Sequence, residues 1–137
     1  IPHGAALGTL LRIGAMTSAW PNLQDLLTGA EAAAPVGWVG APLAAGSVTP
    51  GRCDLAPAEL RKVLRRIGRY DLDTGNILDS LVADHGDVAI EGLSIEEATG
   101  PIRDAVSAIV AQHALTLLIG GNNAVTRPGV HGLGLPL

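Results

Sequence analysis

The chain has 137 residues, 47% of them hydrophobic and 16% charged, which suits one folded domain and excludes an intrinsically disordered chain. The formal net charge of −4 comes from 9 basic and 13 acidic residues spread along the chain, so nucleic acid is not expected as a partner. Cys53 is the single cysteine, which excludes an intrachain disulfide and fits a cytoplasmic protein, and no apolar run reaches the ~20 residues of a membrane-spanning helix.

A short helix is the first predicted element, and it begins after Asn22. Asparagine is a favoured N-cap residue, and three leucines that follow it would share one side of the helix. Gly29 ends this segment. We expect residues 1–34 to form a helical extension and residues 35–137 a βαβ core, both within a single domain.

The next predicted elements are a strand over 35–40, a long loop over 41–57 and a helix over 58–67. A loop of that length in a small domain is often functional, although the default role of its Ser47 and Thr49 is that of ordinary polar loop residues. The helix has one apolar face with spacings of three, four and seven residues, formed by Leu60, Val63, Leu64 and Ile67. Its basic residues are expected to form a solvated face: Arg61, Lys62, Arg65 and Arg66.

A second strand is predicted where residues 81–83 run into the turn at 84–88. Asp84 and Asp87 in this turn could be a carboxylate pair for acid–base chemistry. A turn whose carboxylates cap backbone amides explains their spacing equally well, and we favour that structural role. His85 lies between them and is expected to be exposed.

Ser94 and Glu97 have the spacing of a capping box, which predicts a helix start that Gly100 and Pro101 soon interrupt. The main helix is therefore expected to begin near Pro101, with His113 near its end. Its apolar positions repeat with helical spacing, and a buried strand over 115–119 follows. Strands that alternate with helices predict a parallel sheet with right-handed crossovers.

The end of that last strand is the most informative part of the chain, because Gly120, Gly121, Asn122 and Asn123 follow the apolar run directly. In open α/β sheets, ligands bind beyond the carboxyl ends of the strands, and glycines let the backbone approach a ligand closely. Asn123 is either close to a metal or active site or the cap of the next helix. A phosphate-binding module that uses the two glycines is a weaker alternative, because a phosphate-loop lysine is missing.

Several segments, taken in order, resemble the opening of the arginase, agmatinase and formimidoylglutamase family, the ureohydrolases. Their combined extent is about residues 36–133. They are Val39-Gly40-Ala41-Pro42 with Gly46, Pro50-Gly51-Arg52, Ala56-Pro57-Ala58-Glu59-Leu60-Arg61, Asp84-His85-Gly86-Asp87-Val88, and Leu118-Ile119-Gly120-Gly121-Asn122-Asn123-Ala124-Val125-Thr126-Arg127-Pro128.

The resemblance implies the N-terminal portion of a three-layer α/β/α sandwich with a parallel central sheet. It also implies a hydrolase of C–N bonds in guanidino, amidino or formimino substrates that uses two manganese ions, and a homo-oligomer. Asn123 occupies the position of the family's first histidine ligand, and Asn122 replaces an aspartate. Gly120, Gly121, Asp84 and Asp87 would be structural residues near the site.

Under the same resemblance, the remaining metal ligands and all catalytic residues would lie beyond Leu137 or in a second chain. The 137 residues alone are then expected to be inactive. A metal-poor family member that acts as a structural or regulatory subunit is the alternative, because the two asparagines replace an aspartate and a histidine.

Overall fold

A computed structural model describes residues 20–135 and contains four strands and three α-helices in that range. The strands are β1 (Leu27–Gly29), β2 (Val36–Ala41), β3 (Val82–Asp87) and β4 (Leu115–Gly120). The helices are α1 (Ala56–Val63), α2 (Ile95–Val110) and α3 (Thr126–Gly132). All strand pairs are parallel, in the order β1-β3-β2-β4, as the alternation of strands and helices predicts.

Helices cover both faces of the sheet, and two glycines of β2 show how closely they pack. A side chain at Gly37 would collide with Ile109 of α2, whereas one at Gly40 would collide with Pro57 of α1. Residues 37 and 40 have opposite parity in a strand and so point to opposite faces. The described residues therefore form the three layers that the sequence predicts, with α1 on one side and α2 on the other.

The main hydrophobic core lies between the sheet and α2. Val39 packs there with Val106 and Ile109, each at most 2% exposed. A second buried cluster continues it past the end of β2 and contains Ala41, Leu43, Ile90, Ala98, Ile102 and Val125. α3 packs closely on α2, because Gly132 leaves no room for a β-carbon beside Val106. None of the helices described over residues 20–135 is long and apolar enough to cross a membrane.

The N-terminal prediction is correct at the cap and wrong after it. Asn22 caps a 3-10 turn at Leu23–Leu26, accepting from the Gln24 N–H at 3.0 Å in a capping box with Asp25. Leu27 then enters β1 and pairs with Val82 of β3, so it does not continue a helix. Because β1 lies before residue 35, the predicted boundary at 34/35 does not separate a helical extension from the sheet. Residues 1–19 of the predicted extension lie outside the described residues.

The prediction that the main helix begins near Pro101 is also wrong. The capping box forms, with Glu97 N–H donating to Ser94 Oγ at 3.2 Å, but α2 then runs without interruption from Ile95 to Val110. Proline removes one backbone hydrogen bond from a helix. The burial of Ala98 and Ile102 on either side of Pro101 outweighs that loss, since both side chains are fully buried.

The helix predicted over 58–67 begins earlier, at Ala56, and continues beyond Val63 only as a 3-10 turn at Leu64–Arg66. Leu64 is 9% exposed, whereas Val63 and Ile67 are 42% and 41% exposed. The apolar face read from the sequence is therefore only partly buried. The basic face is solvated at Lys62, Arg65 and Arg66, but Arg61 points to the sheet.

Candidate functional site

The candidate site is a cleft of about 320 Å³ beyond the carboxyl ends of β2 and β4. Two adjacent strands end here, and Gly121 N–H donates to Ala41 O at 3.0 Å. Residues 121–124 form one wall, while residues 46–49 and Cys53 form the other. This is the sheet edge at which α/β proteins bind ligands.

The two glycines at the end of β4 are required by packing. A β-carbon on Gly120 would collide with the Val125 side chain, and one on Gly121 would collide with the backbone oxygen of Leu43. Neither glycine has a positive φ, so close approach rather than unusual backbone geometry excludes a side chain at these positions. The loop after β2 thus packs directly on the backbone of residue 121.

The structure distinguishes the roles of the two asparagines. Asn122 is the cap: its Oδ1 accepts from Ala124 N–H at 2.8 Å, and a 3-10 turn begins at Asn123 and leads into α3. Asn122 Nδ2 donates to Leu43 O at 2.9 Å and to Ala45 O at 3.0 Å. Asn123 is exposed and lines the cleft. The alternative in which Asn123 caps the next helix is therefore wrong.

Ser47, Thr49 and Cys53 also line the cleft, although sequence reasoning gave none of them a functional role. Ser47 Oγ donates to Thr49 O at 3.0 Å, which closes the tip of the loop. Cys53 is half-buried and its thiol lies 3.7 Å from Leu43 O. The only sequence signal for this wall was the length of the loop after β2.

Asp84 and Asp87 are held by one arginine. Arg61 Nε donates to Asp84 Oδ2 at 2.7 Å and its Nη1 to Asp87 Oδ1 at 2.6 Å, while the guanidinium lies 5.3 Å from the centre of the Trp38 ring. Asp84 Oδ1 also accepts from Gly86 N–H at 2.9 Å. Asp84 thus binds both Gly86 and α1, whereas the Asp87 carboxylate binds α1.

Electrostatics in this cluster follow from those bonds. The hydrogen bonds that Arg61 donates to the Asp84 carboxylate, and the one that it donates to Asp87, raise the pKa of Arg61 above its ordinary value despite burial. Burial raises the pKa of Asp84, but hydrogen bonds from Arg61 and from Gly86 N–H outweigh it and leave the pKa below its ordinary value. A charged carboxylate at Asp84 is a hydrogen-bond acceptor and a poor general acid.

His85 is half-buried, so the expectation that it is exposed is wrong. Its Nε2 lies 2.9 Å from Nε2 of His113, and the two rings meet edge to face at 77°. His113 Nδ1 lies 2.8 Å from Ala34 O and must donate to it, because a carbonyl can only accept. In neutral His113 the Nε2 is then the acceptor, and His85 Nε2–H is the donor. This contact joins β3 to the connection between α2 and β4.

Sequence comparison identifies the relationship that the fold suggests. The pattern of the arginase family matches residues 34–135, which is most of the chain. The chain belongs to the arginase family.

Known members of the family are similar to this arginase-family chain over most of its length. Guanidinobutyrase of Pseudomonas aeruginosa is 32% identical over 130 residues, which is 93% of this chain and 38% of that protein. Formimidoylglutamase of Bacillus subtilis has the same fold, with a TM-score of 0.72 at 20% identity over 96% of this chain and 40% of that one.

A third relative has been solved with manganese. Formiminoglutamase of Trypanosoma cruzi, with Mn²⁺, is 26% identical with a TM-score of 0.69, over 82% of this chain and 39% of that one. The arginase-family chain thus spans about 40% of the length of these relatives.

The residues of this arginase-family chain that are described do not by themselves fit a metal centre. Between residues 20 and 135, no group of three or more His, Cys, Asp or Glu side chains is placed to hold a metal ion. Asn123 offers at most one neutral oxygen at the cleft, which is a weaker ligand for a transition metal than imidazole. Asp84 and Asp87 bind Arg61 instead.

Proposed function

We propose that this chain is part of an enzyme that hydrolyses C–N bonds in guanidino, amidino or formimino compounds. The observation that carries the proposal is the family match over residues 34–135, together with a cleft at the sheet edge where α/β folds place their chemistry. Relatives named guanidinobutyrase and formimidoylglutamase support the reaction class. They differ in substrate, so the proposal extends to the class of bond and no further.

We further propose that manganese serves this enzyme and that its ligands come chiefly from sequence outside the described residues, in the same polypeptide or a second chain. A relative solved with Mn²⁺ supports the choice of metal. Such an ion would supply an activated water molecule as the nucleophile for hydrolysis. The contribution of this chain would be the cleft walls, with Asn123 beside the metal.

The test is a substrate panel on the protein expressed with all of its polypeptide. Guanidinobutyrate, agmatine and formimidoylglutamate would be compared, with and without added Mn²⁺, by measuring urea or formamide release. Manganese-dependent turnover of at least one compound is expected. No turnover of any of the three, with manganese loaded and the fold intact, would overturn the proposal.

The second candidate is a metal-poor subunit that assembles with or regulates an active relative. The two asparagines favour it, because Asn122 is used as a structural cap and Asn123 brings no imidazole. Elemental analysis of the purified protein separates the candidates. Less than one manganese per ten chains supports the subunit hypothesis, and one or more per chain contradicts it.

A further inference from the structure

The side chain of Asn122 links the cleft wall at 121–124 to the loop that leads into the opposite wall, through three hydrogen bonds. Its Oδ1 accepts from Ala124 N–H on its own wall, while its Nδ2 donates to the carbonyls of Leu43 and Ala45, which directly precede the opposite wall at 46–49. These partners settle which amide atom is which, since two carbonyls require a donor and a backbone N–H requires an acceptor. The contact is therefore specific for a side chain with both functions.

The backbone around this contact is already close. Gly121 leaves no room for a β-carbon against Leu43 O and lies near Cys53 O, so the loop rests directly on the end of β4. Leu43 itself is only 1% exposed. Beyond Ala45, residues 46–49 extend along the cleft, where no other side-chain hydrogen bond to residues 121–124 is formed within the described chain.

We propose that Asn122 is a positioning residue that fastens the loop at 43–49 to the end of β4 and thereby sets the distance between Asn123 and the Ser47–Thr49 wall. An aspartate at this position could still cap Ala124 through its carboxylate. It would, however, place only acceptors against the two loop carbonyls. An amide is thus the side chain that matches all three partners.

This proposal rests on the proposed function only because it takes this cleft to be the functional site. Its test measures how often the loop opens and needs no enzymatic activity. Amide hydrogen exchange of the full chain reports how often residues 43–49 open. A failure to detect hydrolysis would leave the result for the loop unchanged.

Two substitutions at Asn122 distinguish its role as a cap from its contact with the loop. Asn122→Ser keeps an oxygen that can cap Ala124 but cannot reach both carbonyls, so it is expected to lower protection of residues 43–49 about tenfold, for two lost hydrogen bonds, while α3 stays protected. Asn122→Asp is expected to do the same at pH 7. Lowering the pH should partly restore its protection factors, because a protonated carboxyl regains a donor.

Asn123→Asp is the matched control, because it makes the same chemical change at the neighbouring exposed position and is expected to leave loop protection unchanged. Wild-type protection of residues 43–49 in Asn122→Ser would overturn the proposal. So would equal losses in the two aspartate variants, or a loss in Asn122→Asp that does not depend on pH.

Discussion

Arg61 is predicted to belong to a solvated helix face, but in the structure it links α1 to β3 of the sheet. Three donors of its guanidinium meet two carboxylates, and its side chain is 19% exposed. The spacing of basic residues along α1 marks a polar surface but does not show that one position turns inward over Trp38. Only the position of β3, brought alongside by the fold, reveals its partners.

Replacing Arg61 with glutamine is expected to destabilise the protein by about 2–3 kcal/mol at pH 7, because two carboxylates lose a charged donor. Because the pKa of folded Asp84 is below its ordinary value, this stabilisation is present above about pH 4 and is lost as the pH falls through the folded value. Urea unfolding of both proteins between pH 7 and pH 3 measures the difference, which should shrink in acid.

Arg65→Gln is the control for this prediction, because it removes the same charge from the exposed 3-10 turn that follows α1. Its effect should stay within about 0.5 kcal/mol at every pH. An equal loss in the two variants would show that net charge, and not the contact with Asp84 and Asp87, is responsible.

Gly121→Ala is expected to cost about 1–3 kcal/mol, because the new methyl group would meet the backbone of the loop rather than a side chain that can move. Gly29→Ala in β1 is the comparison, since a β-carbon there meets nothing within 4 Å. Thermal unfolding of the two variants tests this difference. A loss at Gly29 as large as that at Gly121 would contradict it.

At the scale of the element, the capping box at Ser94 and the burial of one face stabilise α2. Gly100, which has a low helix propensity, lies within this helix. A β-carbon at Gly100 would meet nothing within 4 Å outside its chain neighbours, but the ring of Pro101 disfavours a helical backbone in a preceding residue that has a β-carbon. Because this clash opposes the higher helix propensity of alanine, Gly100→Ala is expected to change the stability of the protein by less than about 0.5 kcal/mol. Chemical unfolding measures the difference. A gain of about 1 kcal/mol would show that the proline ring does not oppose alanine at this position.

The contact between His85 and His113 predicts a measurable coupling between β3 and the segment that follows α2. A double-mutant cycle with leucine at each position should give a coupling energy of about 1 kcal/mol. His131 lies in the last turn of α3 and provides the control cycle with His85, for which no coupling is expected. Equal coupling in the two cycles would contradict the contact.

Sequence reasoning predicts the elements that have local signals. The caps at Asn22 and Ser94 form, and β2 and β4 lie within a residue of their expected positions. β3 begins within a residue of its expected start but continues to Asp87, through most of the segment predicted as a turn. β1 is missed because three residues are too few for a period of two to appear. The start of α2 is missed because burial outweighs the local effect of proline.

The candidate site is also predicted only in part from the sequence. The end of β4 is predicted because an apolar run meets two glycines. The wall at 46–49 is not predicted, because the loop is held at the cleft by contacts between residues 77 and 79 positions apart, which no local sequence pattern shows. Two adjacent asparagines are both good caps, so only the backbone geometry shows that Asn122 is the one used.

At the scale of the whole molecule, the described residues supply two cleft walls and no set of metal ligands. The 137-residue chain by itself is therefore expected to release no urea, ammonia or formamide from the three candidate substrates, even with added Mn²⁺. Pseudomonas aeruginosa guanidinobutyrase assayed in parallel is the positive control. Manganese-dependent turnover by the isolated chain would contradict this expectation.

The two glycines of β2 also determine how the layers tolerate change. A side chain at Gly37 would collide with Ile109 of α2 and with His113, whereas one at Gly40 would collide with Asp87 of β3 and Pro57 of α1 on the opposite face. A saturation library scored for folding should thus show that positions 37 and 40 both reject every substitution. The residues that block a side chain differ between the two positions. Compensating changes for position 37 should appear at Ile109 or His113, and those for position 40 at Pro57 or Asp87, so that genetic suppression alone would report which helix covers which face.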